Sequence, residues 1–120
     1  MRIFLHKNFQ QWVKKEKITL KMLRQCVMEL EQGLFDAQLG NGLYKKRLAK
    51  PSEGKRGGYR IILAFRNEER TFFLYGFAKN KMANMSQVEK TLYKKLATFF
   101  LESSEKEIEQ LKKLGSLIEV

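Results

Sequence analysis

Lys45, Lys46, Arg47, Lys50, Lys55, Arg56, Arg60, Arg66, Lys79 and Lys81 crowd into the middle of a 120-residue chain. Residues 43–81 hold 11 Lys or Arg against 3 Asp or Glu, which is +8 of the total net charge of +11. The flanking thirds carry +3 and 0. A basic centre between near-neutral ends points to a polyanion site rather than to general solubility. Taken one at a time these are ordinary solvated cations. Together, with a glycine-rich stretch among them, they describe a surface for a nucleic acid.

The same residue types allow one kind of chemistry without a metal. In RNA the 2′-OH can attack the adjacent phosphate. The protein must then place the nucleotide, remove a proton, stabilise added negative charge and protonate the leaving oxygen. Arg60 suits the phosphate grip, because its planar fork binds two oxygens at once. Crowded cations lower one another's pKa, so a lysine can act as base; Lys46 is the first candidate and Lys50 the second. Lys79 or Lys81 would counter charge on the leaving group. Lys45, Arg47, Lys55, Arg56, Arg66 and Lys81 would hold the rest of the strand, with Tyr75 beside them if it faces the open side.

Other chemistries find little support. His6 is the one histidine, and no carboxylates are spaced to join it as metal ligands. At the end of a strand it reads as a surface or capping residue. Cys26, the one cysteine, can form no internal disulfide and sits among apolar neighbours, where packing is its role. Gly54, Gly57 and Gly58 lack the G-x-x-x-x-G-K-[ST] order and precede a strand instead of opening a helix, so they do not make a nucleotide loop. No cofactor is implied.

The elements that must carry these groups follow from periodicity. Arg2 to Leu5 reads as a short strand. Asn8 can cap a helix with Phe9, Trp12 and Val13 on one side, and Thr19 caps a second with Leu20, Leu23, Val27 and Leu30, stopped by Gly33. Gly40-Asn41-Gly42 is a turn. Leu43 to Lys50 is a basic strand, and Lys50 to Gly58 a mobile loop. Tyr59 to Arg66 alternates, with Tyr59, Ile61, Leu63 and Phe65 on one side and Arg60, Ile62, Ala64 and Arg66 on the other. Asn67-Glu68-Glu69 turns into an aromatic strand over 71–78, completing a meander. Ser86 and Ser104 open capping boxes, with Val88, Leu92, Leu96 and Phe99 as the apolar face of the first helix and Gly115 as the end of the second.

The order strand–helix–helix–strand–strand–strand–helix–helix predicts one α+β domain over 1–120. Its small sheet is antiparallel apart from the N-terminal strand, with helices packed on one face. No apolar run approaches the ~20 residues of a membrane span, and Met1–Leu5 runs at once into His6, Lys7 and Asn8, unlike a signal peptide. A cytoplasmic protein is expected.

Gly54-Lys55-Arg56-Gly57-Gly58-Tyr59-Arg60-Ile61-Ile62, followed by Phe72-Phe73-Leu74-Tyr75-Gly76-Phe77-Ala78-Lys79, resembles the RelE/ParE superfamily of toxins. The pattern G-x-x-G-G-Y-R, then F-x-Y-G-F-A-K, is most similar to the RelE/HigB-like branch. Leu39 to Leu43 and Gly115 to Val120 extend the likeness over nearly the whole chain. The resemblance implies a toxin that cuts mRNA on the ribosome and is held inactive by a cognate antitoxin, a small helix-turn-helix protein encoded beside it. It places the family's strand arginine at Arg60, its preceding basic residues at Lys46, Arg47 and Lys50, and its following basic group at Lys79 or Lys81. The late Tyr or His of some members has no clear counterpart: there is no late His, and Tyr93 falls inside a helix. Two alternatives share the fold and charge, namely a ParE-like gyrase poison and a non-catalytic nucleic acid-binding module.

Overall fold

The computed structural model describes residues 1–50, 54–66, 69–78 and 86–120, without the side chains of Lys50 and of 54–57. Pro51 to Glu53, Asn67, Glu68 and the stretch containing Lys79 and Lys81 lie outside the described residues. The elements are β1 (Arg2–His6), α1 (Lys7–Glu16), α2 (Leu20–Glu31), β2 (Ala37–Gly40), β3 (Leu43–Lys50), β4 (Gly54–Arg66), β5 (Arg70–Ala78), α3 (Gln87–Leu101), α4 (Glu105–Lys113) and β6 (Leu117–Glu119). The six strands form one mixed sheet in the order β2-β3-β4-β5-β1-β6. β1 runs parallel to β5, and every other neighbouring pair is antiparallel. This is the expected α+β architecture, with β2 and β6 added at the two edges. Among the described residues no helix is long and apolar enough to cross a membrane.

Local chemistry sets the helix ends. Thr19 accepts from the Met22 N–H, while Ser86 and Ser104 each close a full capping box with Glu89 and Glu107. Helix α1 begins earlier than an Asn8 cap allows. The His6 ring caps it, its Nδ1 accepting from the Asn8 N–H at 3.2 Å. The turn at Gly40-Asn41-Gly42 joins β2 to β3 with positive φ at all three residues. At Gly42 a Cβ would also stand 2.5 Å from the Leu101 side chain, so only glycine fits. The glycine-rich stretch does not remain a loop throughout: Gly54 to Gly58 open β4, and Gly54 pairs with Lys50.

Both faces of the sheet are covered, not one. Leu5, Ile61, Leu63, Phe65 and Phe73 pack under α1 and α2 with Phe9, Leu23, Val27 and Leu30. On the reverse, Phe4, Leu43, Ile62, Ala64 and Phe72 pack under α3 and α4 with Ala97, Phe100, Leu101 and Ile108. Ile62 and Ala64, which share Arg60's side of the strand, are fully buried. A central strand whose two parities are both apolar needs a layer on each side. Phe72 sits between Phe4 and Phe100, with centroids 4.9 and 5.1 Å away.

Of the face that its spacing suggests, helix α3 packs only Leu96 against the core, where it is partly buried. Ala97, Phe100 and Leu101 go inward, whereas Val88, Leu92 and Phe99 are 80%, 55% and 50% exposed. The helix carries two apolar stripes, and contact with the sheet selects the one containing Phe100. At the far end, Arg2 ties β1 to α4 and β6 through Glu105 (2.6 Å) and Glu119 (2.8 Å).

Candidate nucleic-acid interface

Register decides which basic groups meet. β3 and β4 pair with Arg47 opposite Arg60, Lys45 opposite Ile62 and Leu43 opposite Ala64. Residues directly opposite on antiparallel strands share a face. Leu43, Ile62 and Ala64 belong to the core under α3, so Lys45, Arg47 and Arg60 lie on that same side.

β5 joins them because of one irregularity. Ile62 pairs with Tyr75 but Leu63 pairs with Phe73, which leaves Leu74 as an extra residue. The bulge reverses the parity of everything beyond it. Phe72 and Leu74 face α3, and so do Tyr75 and Phe77, which stand opposite Ile62 and Arg60. Tyr75 is half-buried between Phe77 (5.7 Å between centroids) and Tyr93 of α3 (5.8 Å, stacked). Two arginines and an aromatic group thus share one end of the α3 face. Burial, with smaller contributions from Tyr75 and Glu89, pushes the Tyr93 hydroxyl above its ordinary pKa and keeps it protonated.

Arg60 is held firmly. Its side chain is 11% exposed, and its Nε lies 3.7 Å from Asp36 Oδ2. Its Nη1 donates to the Tyr59 carbonyl at 3.2 Å. Arg47, 54% exposed, donates from Nε to the same Asp36 oxygen at 3.2 Å. Helix α1 fixes β4 and β5 from the opposite face. Tyr59 donates its hydroxyl to Glu16 at 3.0 Å, and its ring meets Trp12 edge-on at 5.0 Å. Trp12 also lies against Gly76 so closely that a Cβ there would be 2.5 Å from the indole. The G-Y-R and Y-G-F segments are therefore load-sharing neighbours: Tyr59 and Gly76 anchor the strands, and Arg60 and Tyr75 are displayed on the other side.

Two of the sequence-derived candidates do not join this group. Lys46 pairs with Ile61, on the face covered by α1 and α2. Its side chain is 5% exposed, and its Nζ stands 2.7 Å from Glu29 Oε1 of α2. A cation on the far side of the sheet, enclosed in an ion pair, is out of reach of a phosphate at Arg60. Arg66 is six residues from Arg60 along β4, about 20 Å at roughly 3.3 Å per residue. It donates to the Leu101 carbonyl at 3.2 Å, at the end of α3. Lys50 ends β3 opposite Gly54, and Lys55 and Arg56 follow on β4. Their side chains, like Lys79 and Lys81, lie outside the description.

Asp36 and Tyr93 are in the group, although the sequence reading passes over Asp36 and sets Tyr93 aside as a residue inside a helix. Asp36 had no visible signal, because its place beside β3 depends on β2, whose four residues show no clear alternation. Tyr93 could be found only by knowing that α3 presents its Tyr93–Phe100 stripe to the sheet.

The family model for the RelE toxin of the RelE / RelB toxin-antitoxin system matches residues 1–120. The chain belongs to the RelE toxin family. As a RelE toxin it is one half of a toxin–antitoxin pair, and an antitoxin is its partner. The six-stranded sheet with four helices is compatible with the RelE-like fold.

Proposed function

We propose that this RelE toxin is a metal-independent endoribonuclease that cuts mRNA on the ribosome. The observation that carries the reading is the Arg47–Arg60 pair, set across β3 and β4 beside Tyr75 on one face. Two guanidinium forks side by side suit a phosphate that gains charge as the 2′-OH attacks. Tyr75, backed by Tyr93 and Phe77, offers an aromatic surface for a neighbouring base. With Lys46 turned to Glu29, removal of the 2′-OH proton falls to Lys50. Charge on the leaving oxygen falls to Lys79 or Lys81. Lys45, Lys55 and Arg56 hold the flanking phosphates, so affinity falls as salt rises. The antitoxin, a small helix-turn-helix protein with an acidic segment, silences the toxin by neutralising this basic face in the cytoplasm.

The test is incubation with translating ribosomes and mRNA. Discrete cuts that disappear when the ribose at the cleavage point lacks its 2′-OH, and that fall at least 100-fold with Arg60→Ala, support the nuclease. Gyrase-linked DNA breaks without RNA cuts would favour a ParE-like poison. RNA binding with no cuts would favour a plain binding module.

A further inference from the structure

Asp36 stands one residue before β2, where its backbone N–H donates to the Lys45 carbonyl at 2.9 Å. That bond holds it against β3, within reach of both arginines. Its Oδ2 accepts from Arg47 Nε at 3.2 Å and lies 3.7 Å from Arg60 Nε. Both contacts use the inner, Nε edge of a guanidinium. Among the described residues Arg60 Nη2 and both terminal nitrogens of Arg47 make no hydrogen bond. Like charges directly opposite on paired strands repel, and a carboxylate between the two Nε edges offsets that repulsion. It restricts each fork while leaving its outer nitrogens for a ligand, and two oxygens of a phosphate match such a fork.

We propose that Asp36 is the positioning residue of this arginine pair: it fixes both guanidiniums by Nε so that their Nη ends are presented to the reacting phosphate. The inference rests on the RNA-cleavage reading above. Its rival is that Asp36 merely competes with the phosphate for positive charge, and the two differ in what they do to kcat and KM. A positioning residue acts on the transition state through geometry. A competitor only lowers affinity for every anion alike.

The experiment uses the full chain with translating ribosomes for cleavage, and a short RNA with 2′-O-methyl riboses for binding. Asp36→Asn keeps the size and removes the charge. The expected result is a kcat at least ten-fold lower, with KM and RNA affinity unchanged or tighter, since net charge rises by one. Asp36→Glu, which restores a carboxylate, recovers part of kcat. A lower KM with unchanged kcat identifies a competitor and overturns the proposal, as does no change in either constant. Arg60→Gln is measured alongside. If that variant keeps normal kcat and affinity, the failure belongs to the RNA-cleavage reading and not to Asp36 alone. Should Asp36→Asn fail to fold, Asp36→Ser is read by the same kcat and KM criteria.

Discussion

Replacing Lys46 by Met should cost stability and leave RNA cleavage per folded molecule within about three-fold of normal. The side chain is 5% exposed, and Glu29, 16% exposed, is its carboxylate partner at 2.7 Å. Met keeps the aliphatic stem and removes the charge, which leaves Glu29 in a largely covered place without this cation. Removing one partner of a buried pair costs roughly 3–5 kcal/mol. Glu29 is partly accessible and has further contacts, so about 2–3 kcal/mol is the better expectation. With an unfolding entropy of roughly 0.25 kcal/mol/K for 120 residues, that is about 8–12 °C in Tm. The double variant Lys46→Met/Glu29→Leu should regain most of the loss, because an apolar pair of similar volume is often neutral there. Urea unfolding of the four proteins of this cycle gives the coupling energy. Ribosome-dependent cleavage below each midpoint gives the activity. A Lys46→Met protein of normal stability that cuts RNA 100-fold more slowly would refute the placement of Lys46 outside the catalytic face.

Gly76→Ala should lower stability by roughly 1–3 kcal/mol, as a new methyl group forces the Trp12 ring to move; pairing it with Trp12→Leu, read by thermal melting, should remove most of that penalty. Burial, followed by nearby Lys7, holds the His6 imidazole below its ordinary pKa of 6.5. The unfolded chain therefore takes up this proton first, and Tm should fall as pH drops below about 6.5. His6→Asn, which keeps a capping side chain, should flatten that part of the curve. Hydrogen bonds from Arg2 and Lys112 bring the Glu119 carboxyl down to about 2 from 4.5. Its contribution is present above pH 4.5 and lost towards pH 2, so Glu119→Gln should lower Tm near neutrality, and the difference from the unaltered protein should shrink as pH falls from 4.5 towards 2.

What could be read from the sequence was what local chemistry decides. Thr19, Ser86 and Ser104 cap their helices through bonds spanning three residues, so their spacing alone reveals them. The Gly40-Asn41-Gly42 turn is equally local. The strand pairing that sets Arg47 against Arg60 is not, and it was anticipated only as a convergence of basic strands. Lys46 and Arg47 are adjacent, so alternation required that only one could face the phosphate. Nothing in Leu43 to Lys50 said which, until Leu43 and Leu48 were each committed to a different core. The bulge at Leu74 is hidden among Phe72, Phe73, Leu74 and Tyr75, all large and apolar enough for either side, yet it decides where Tyr75 faces. The inward face of helix α3 was read only in part, through Leu96, for a related reason: two apolar stripes satisfied the same period, and only packing against Phe72 chose between them.

The account stands on Arg47 and Arg60 acting on one phosphate. The direct measurement is a double-mutant cycle of Arg47→Ala and Arg60→Ala, read as affinity for a short 2′-O-methyl RNA at fixed low salt. A shared phosphate predicts a large loss for either single variant and a much smaller second loss in the double, with a coupling of about 1 kcal/mol or more. Strictly additive losses, or affinities equal to that of the unaltered protein, would contradict it.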